Sequence, residues 1–553
     1  MARRRKRWSG GKVTLIVVII VIIVGAIVFG TNRAQKNNSK TLNEFLPIDL
    51  TTEDLSKITD VYSSEIAGNT QQGLLSRTKN SKPKPGLAKS WSHSPNGLTW
   101  TFHLRKNLKW SNGDPLTAND FVYAWRRTVN PKTASQYAYI YSGIKNADEI
   151  NSGKNKNLKS LGIKAPDKNT VVVTLSHPMP QFENLMAFDS FFPQDQKLVR
   201  KLGSKVGTSS KNQVYSGPYK FTGWNGNNSK FKLVKNKHYW NQKAVKNDGV
   251  NYQVIKDATA LVSSFNKGSI DRADLQTPEQ IKKYRHNKKF HKIKAATSNY
   301  IEYNQNGKVP ALKNLKIRQA LNLATDRSGM AKDVSNGLDS PAKGITPAGL
   351  AKTSSGEDFA KAASKETNYH YNISEAKKLF VQGMKEVGQK KLTLTIEASQ
   401  DNPATKQTID DIQQSWGKLP GLSVKENIVP FKQRQSDQQN HNFQVVLAAW
   451  SADYNEPLTF INMFQTGGPY DDGSWSNKTY DNLVKKASSS SDALNDTKRT
   501  NEELQAEKIL YQQAAINPIY WGNMGQLRNP HVKGFEYFPA GANYYYWMAK
   551  VNR

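Results

Sequence analysis

The sequence predicts an α/β fold held outside a membrane by one N-terminal transmembrane helix. Three observations predict it. Residues 374–450 alternate helix, strand, helix and strand patterns, as a βα-type domain does. Residues 443–450 form an apolar run broken only by Gln444; a run so short and so rich in β-branched and aromatic residues reads as a buried strand. Residues 13–31 are uncharged and built largely of Val and Ile, and Arg3-Arg4-Arg5-Lys6-Arg7 precede them.

The N-terminal part is justified by length. The nineteen residues 13–31 make roughly 28 Å of helix at ~1.5 Å each, about one bilayer core. The basic tail 1–12 stays cytoplasmic and the bulk of the chain lies outside. A cleaved signal peptide competes with this reading, but its apolar region is shorter, about 7–15 residues. Residues 32–40 then act as a tether with a reach on the order of 15–20 Å. The chain has no cysteine, which excludes disulfides, thiolate catalysis, cysteine-type zinc sites and a lipid anchor on cysteine.

The 553 residues carry a net charge of +34. The first forty hold nine Lys or Arg and no acid, leaving 70 basic against 45 acidic side chains. These are spread along the chain rather than gathered in one motif, which argues against nucleic acid and for a solvated surface facing an anionic envelope.

Taken in order, residues 62–73 read as a helix ending near Gly73. Residues 99–105 alternate as a strand with Trp100, Phe102 and Leu104 on one face. Thr117 to Asp120 forms a capping box for a helix over 121–127, which Asn130-Pro131 ends. A hairpin spans 161–175, turning at Asp167-Lys168-Asn169 with Val171, Val173 and Leu175 inward. Helices follow over 258–267, 315–324 and 374–387, and Leu392, Leu394 and Ile396 alternate as a strand. No solenoid repeat is visible.

Enzyme signatures are absent. There is no G-x-S-x-G elbow, no H-E-x-x-H helix and no phosphate-cradling loop. His286 and His291 lie in a Lys-rich stretch and read as solvated. Asp471-Asp472-Gly473 lacks the alternation of a calcium loop and reads as a turn. No cofactor and no metal is called for.

After Trp450 the apolar run breaks into Ser451-Ala452-Asp453-Tyr454-Asn455-Glu456-Pro457. A carboxylate two residues beyond a buried strand fits a ligand at the sheet edge, or simply an Asx turn before a helix. PGLAKSW (85–91), TWTFHLRKNLKWSNGDPLTANDFVYAW (99–125), SGPYKFTGW (216–224), KNKHYWN (235–241), NKGSIDRADL (266–275), IRQALNLATDR (317–327) and WSADYNEP (450–457) occur in that order. Together they resemble the oligopeptide-binding proteins of ABC importers, extracellular solute-binding protein family 5, from about residue 42 to the C-terminus.

The resemblance implies a three-lobed periplasmic-binding-protein-like fold of type II, with lobes that close on a hinge. It places lobe I at 41–72, 206–300 and 516–553, lobe II at 73–205 and lobe III at 301–515. It implies a receptor, not an enzyme, that captures oligopeptides and hands them to separate permease subunits. Backbone pairing would come from Ala449, Trp450 and Ser451, with Thr59, Val61 and Tyr62 opposite. Asp453 would hold the peptide α-ammonium. Trp450 and Tyr454 fit a pocket wall or a core equally. The family's Arg three residues before the Trp is Leu447 here, leaving Arg434 or Lys432 for the peptide C-terminus. The expected setting is a single-pass, monomeric ectodomain at the cell membrane of a Gram-positive surface. The alternatives are a sibling receptor for a signalling peptide, nickel or a sugar, or a hydrolase of wall peptides or glycans.

Overall fold

The computed structural model describes residues 40–78, 82–400, 404–468 and 470–553, apart from the side chain of Lys432. The expected basic tail, the span 13–31 and residues 32–39 lie outside the described residues. Among those described, no helix is long and apolar enough to cross a membrane.

One four-stranded sheet opens and returns the chain. Thr41–Leu46 pairs parallel with Gly249–Val254, which is followed outward by Lys230–Lys235 and Tyr219–Thr222. Lys230, Phe231, Lys232 and Leu233 alternate exposed and buried, the period-2 pattern of a sheet with one wet face. The buried face packs with Leu42, Tyr219, Phe221, Tyr252 and Tyr546.

A second, antiparallel sheet is contained within residues 88–174, in the order Ala88–His93, Thr99–Leu104, Thr170–Thr174 and Ile163–Asp167. Phe102, Leu104, Val171 and Val173 face inward as their alternation predicts. The helix Ala118–Val129 starts at the expected box, with Thr117 and Asp120 satisfying each other's backbone. Arg127 near its end clamps Asp54 through two bonds of 2.6 and 2.7 Å.

The third sheet has seven strands. Its main order is Arg272–Leu275, Ile516–Arg528, Phe290–Tyr303, Val445–Ser451, Leu392–Ser399 and Leu422–Val429, with Ser340–Pro341 beside Ile516–Arg528. Leu392–Ser399 pairs parallel with both Leu422–Val429 and Val445–Ser451. The helices Thr405–Trp416 and Phe431–Gln439 form the crossovers, so the βα reading of 374–450 holds. The two longest strands, Phe290–Tyr303 and Ile516–Arg528, pair side by side along their length. The boundaries expected at 300/301 and 515/516 therefore fall on strands shared by one sheet.

Residues 73–205 join the rest through two backbone segments that lie side by side. Gly217 N–H donates to Thr70 O at 2.8 Å. Gln71 Nε2 donates to Val214 O at 2.8 Å, and Gln71 Oε1 accepts from both the N–H and the hydroxyl of Ser216 at 2.9 Å. A Cβ on Gly217 would stand 2.6 Å from the Thr70 carbonyl carbon, so only glycine permits the approach.

Candidate functional site

The strand expected over 443–450 runs Val445–Ser451 and is not buried throughout. Val445 and Val446 are fully covered, whereas Ala449 and Ser451 are exposed and Trp450 is half-buried. Pairing explains the change. On one side the whole strand pairs antiparallel with residues 297–303. On the other, Leu392–Ser399 pairs only at Val445 and Val446. From Leu447 to Ser451 this second edge meets no strand among the described residues, leaving a row of backbone groups of the kind that recruits an extended segment.

The turn after the strand aims Asp453 back beside that edge. Ala452 N–H donates to Ala296 O at 2.9 Å, and Asp453 N–H donates to the Thr459 hydroxyl at 3.1 Å. The Asp453 carboxylate accepts from the Tyr137 hydroxyl at 3.2 Å and the Tyr139 hydroxyl at 3.5 Å. Both tyrosines come from the short 3-10 helix Gln136–Tyr141, three hundred residues away in sequence. Asp453 is only 9% exposed and has no cation at ion-pair distance among the described residues. Burial pushes its carboxyl up to about 7; the two tyrosine bonds and the more distant Arg77 only partly offset this, and the nearby Asp189 adds to it.

Aromatic rings enclose the carboxylate. Tyr137 stacks on Tyr139 at 5.7 Å, Tyr139 meets Tyr470 edge-on at 5.3 Å, and Tyr470 meets Trp450 at 4.6 Å. The Trp450 indole N–H is buried without an acceptor among the described residues, although buried indole donors normally find one. This favours the pocket-wall alternative for Trp450. Tyr454 is 6% exposed and packs in the main core cluster with Leu458 and Phe460, which favours the core alternative for it.

Asp189 lies next to this group, held by the Ser64 hydroxyl at 2.5 Å and by Ser190 N–H at 2.9 Å. Ser64 belongs to the helix Val61–Thr70, so this helix borders the site. Here a second expectation is corrected. Val61 and Tyr62 form the first turn of that helix rather than an extended edge, and Asp60 already accepts from Tyr62 N–H and Ser63 N–H. They offer no strand to pair with; Thr59, exposed and just ahead of the cap, is the residue of this trio in non-helical backbone.

Arg434 sits at the other end of the open edge. Its Nε donates to the Ser399 hydroxyl at 2.8 Å, at the last residue of Leu392–Ser399, just past the point where that strand leaves Val446. It is 7% exposed and also bonds Gln438. Gln438 passes a hydrogen bond of 3.0 Å to Glu302, whose carboxyl burial pushes up to about 8. Arg434 has no carboxylate at ion-pair distance among the described residues. Sequence reasoning missed Tyr137, Tyr139, Tyr470, Asp189 and Arg77. The alternation of tyrosines in QYAYIY (136–141) was the one local signal available for two of them.

The comparisons agree with this geometry. The model of bacterial extracellular solute-binding proteins, family 5 Middle, matches residues 82–472. The dipeptide-binding protein of Lactococcus lactis subsp. cremoris is 40% identical over 532 residues, covering 94% of this chain and 96% of that one. The periplasmic oligopeptide-binding protein OppA of Salmonella typhimurium is 32% identical, covering 87% of each. The solved structure of Listeria monocytogenes OppA bound to peptide matches with a TM-score of 0.83 at 33% identity, covering 94% of this chain and all of that one. By fold, by sequence and by ordered motifs, the chain belongs to the bacterial extracellular solute-binding proteins of family 5.

Proposed function

We propose that this protein is an extracellular receptor that captures oligopeptides and delivers them to the permease subunits of an ABC importer. One observation carries the reading: an open strand edge, Leu447 to Ser451, is bracketed by a buried carboxylate and a buried guanidinium, neither with an opposite charge at ion-pair distance among the described residues. A peptide has the matching form, an extended backbone with a cation at one end and an anion at the other. Ala449, Trp450 and Ser451 pair with its backbone, Asp453 takes the α-ammonium by a charge-assisted bond, and Arg434 takes the terminal carboxylate. Affinity drawn from backbone and termini is tolerant of side chains, as a nutrient receptor requires. Thr59 borders the opposite wall.

In this reading the lobes close over the peptide on a hinge, and residues 73–205 form one lobe, tied to residues 53–64 by the Arg127–Asp54 pair and the Ser64–Asp189 bond, that supplies Tyr137 and Tyr139 to Asp453. Residues 41–72, 206–300 and 516–553 form the second lobe and 301–515 the third. Residues 13–31 anchor the ectodomain, as a monomer, to the outer face of the cell membrane; a soluble form starting between residues 32 and 40 would refute the anchor.

Native mass spectrometry of the protein as purified tests the function. Peptides that are retained, and that return intact after denaturation, support it. Retention of a non-peptide solute, or turnover of an added peptide, would overturn it.

A further inference from the structure

We infer that the end of the molecule from which the N-terminal segment departs is an electrostatic docking surface for a bilayer carrying anionic lipid headgroups. A chain of contacts defines that end. Lys40 O accepts from Asp248 N–H; three residues on, Asn43 O accepts from Asp271 N–H. Asp271 O accepts from Asn529 N–H, its carboxylate binds Arg553 at 2.6 Å, and Lys289 O accepts from Arg528 N–H. The start of the described chain, its C-terminus and the loop before Phe290–Tyr303 therefore meet at one place.

Six lysines crowd that place. Lys40, Lys246, Lys288, Lys533 and Lys550 are exposed and Lys289 is half-buried. None of the six has a carboxylate at ion-pair distance among the described residues. Asp248, exposed at the same end, is already taken by Lys235. The strongest sign is Lys533 opposite Lys550 in the short antiparallel pair Val532–Lys533 and Lys550–Val551. Like charges directly across a ladder oppose its formation, and an external anion relieves them.

The occupant follows from the chain that leaves this end. Residues 32–39 separate Lys40 from the apolar run 13–31, a tether on the order of 15–20 Å. The lysines thus stay within about one or two Debye lengths of a bilayer holding that run. Each lysine brought to an anionic surface adds about five-fold to the partition. This end then rests on the membrane rather than swinging freely. The inference uses the proposed anchor only to choose the bilayer as partner, and it is independent of peptide binding.

The full chain, which has no cysteine of its own, takes a single dye at Asn287→Cys, next to Lys288 in the same loop. It is placed in nanodiscs of phosphatidylcholine with or without phosphatidylglycerol, with an acceptor dye on the headgroups. Energy transfer should rise with phosphatidylglycerol and fall back in high salt. It should also fall in a variant combining Lys288→Gln, Lys289→Gln, Lys533→Gln and Lys550→Gln, whose unchanged peptide affinity reports an intact fold; Lys533→Gln alone should lose about five-fold in partition. Equal transfer in both lipids, or a quadruple variant that behaves like the parent, overturns the inference. Binding of soluble poly(glycerol phosphate) without any lipid response overturns it in favour of a polymer partner. A chain that elutes apart from the discs refutes the anchor instead. Salt-sensitive binding of that chain to preformed phosphatidylglycerol vesicles, absent for phosphatidylcholine, then still supports the surface, and equal binding to both overturns it.

Discussion

Asp453→Asn is the sharpest test of the site. Asparagine keeps the shape of the side chain, and its amide can still meet the Tyr137 and Tyr139 hydroxyls that now stand 3.2 and 3.5 Å from the carboxylate. What it loses is the charge. Leaving a peptide α-ammonium unpaired in so dry a place costs about 2–5 kcal/mol, or about 30-fold to a few thousand-fold in Kd. N-acetylating the peptide removes the other partner and should cost the parent protein a similar factor, but the variant far less. That non-additivity separates a binding carboxylate from a turn residue. Protonation gives a second signature. Burial holds the ligand-free carboxyl at about 7, whereas pairing with an ammonium favours the carboxylate. Binding therefore releases a proton below pH 7, and parent affinity should fall by about tenfold per pH unit as pH drops well below that value. The affinity of Asp453→Asn should stay flat over the same range. Calorimetric titration of both peptides into both proteins, in two buffers of different ionisation enthalpy, measures the factors and the proton release together. Additive losses, or parallel pH profiles for parent and variant, would refute the assignment.

Three further outcomes follow from the structure. Arg434→Gln should weaken peptides with a free C-terminal carboxylate and leave C-terminal amides little changed, read by the same titration; equal losses for both would remove Arg434 from the site. Burial raises Glu44 and Glu302 to about 8 and Glu65 to about 7. A folded-state pKa raised above the unfolded value contributes stability that is complete below the unfolded pKa and is lost as pH rises through the folded one. The ligand-free protein should accordingly melt higher at pH 5.5 than at pH 8.5 by scanning calorimetry, and Glu302→Gln should flatten the difference. Arg127→Met strands the buried Asp54 carboxylate, whose side chain is 5% exposed, and should cost about 3–5 kcal/mol in denaturant unfolding, with Asp54→Asn in the same chain restoring part of it.

Local chemistry was legible in the sequence wherever one segment decides its own structure. The Thr117–Asp120 box, the hairpin turn at Asp167–Asn169 and the helix–strand alternation of 374–450 are all contained in short windows, and each is found where its pattern placed it. The apolar run at 443–450 reads as a buried strand because apolarity does not distinguish a strand with two neighbours from one that loses a neighbour halfway. That distinction lies in where Leu392–Ser399 turns away, a property of another segment. The same reason hid the partners of Asp453. Tyr137 and Tyr139 reach it only because a sheet built within 88–174 folds over one built from 272–528, and no periodicity records that meeting. Val61 and Tyr62 show the reverse: the local reading of a helix from residue 62 holds, and only the pairing role implied by the resemblance fails. A strong local signal, the Asp60 cap, was available and outweighed the strand role that the family resemblance suggested.

The paired segments at Thr70–Gln72 and Val214–Gly217 have a mechanical consequence. Two chains cross-tied by Gln71 and Ser216 behave as one flat ribbon, compliant across its thickness and stiff across its width. The ribbon does not act alone: Arg127 clamps Asp54 and the Ser64 hydroxyl holds Asp189, so residues 73–205 are fastened to residues 53–64 by side chains as well as by backbone. Tyr137 and Tyr139 therefore meet the Asp453 carboxylate as part of one block with the helix Val61–Thr70.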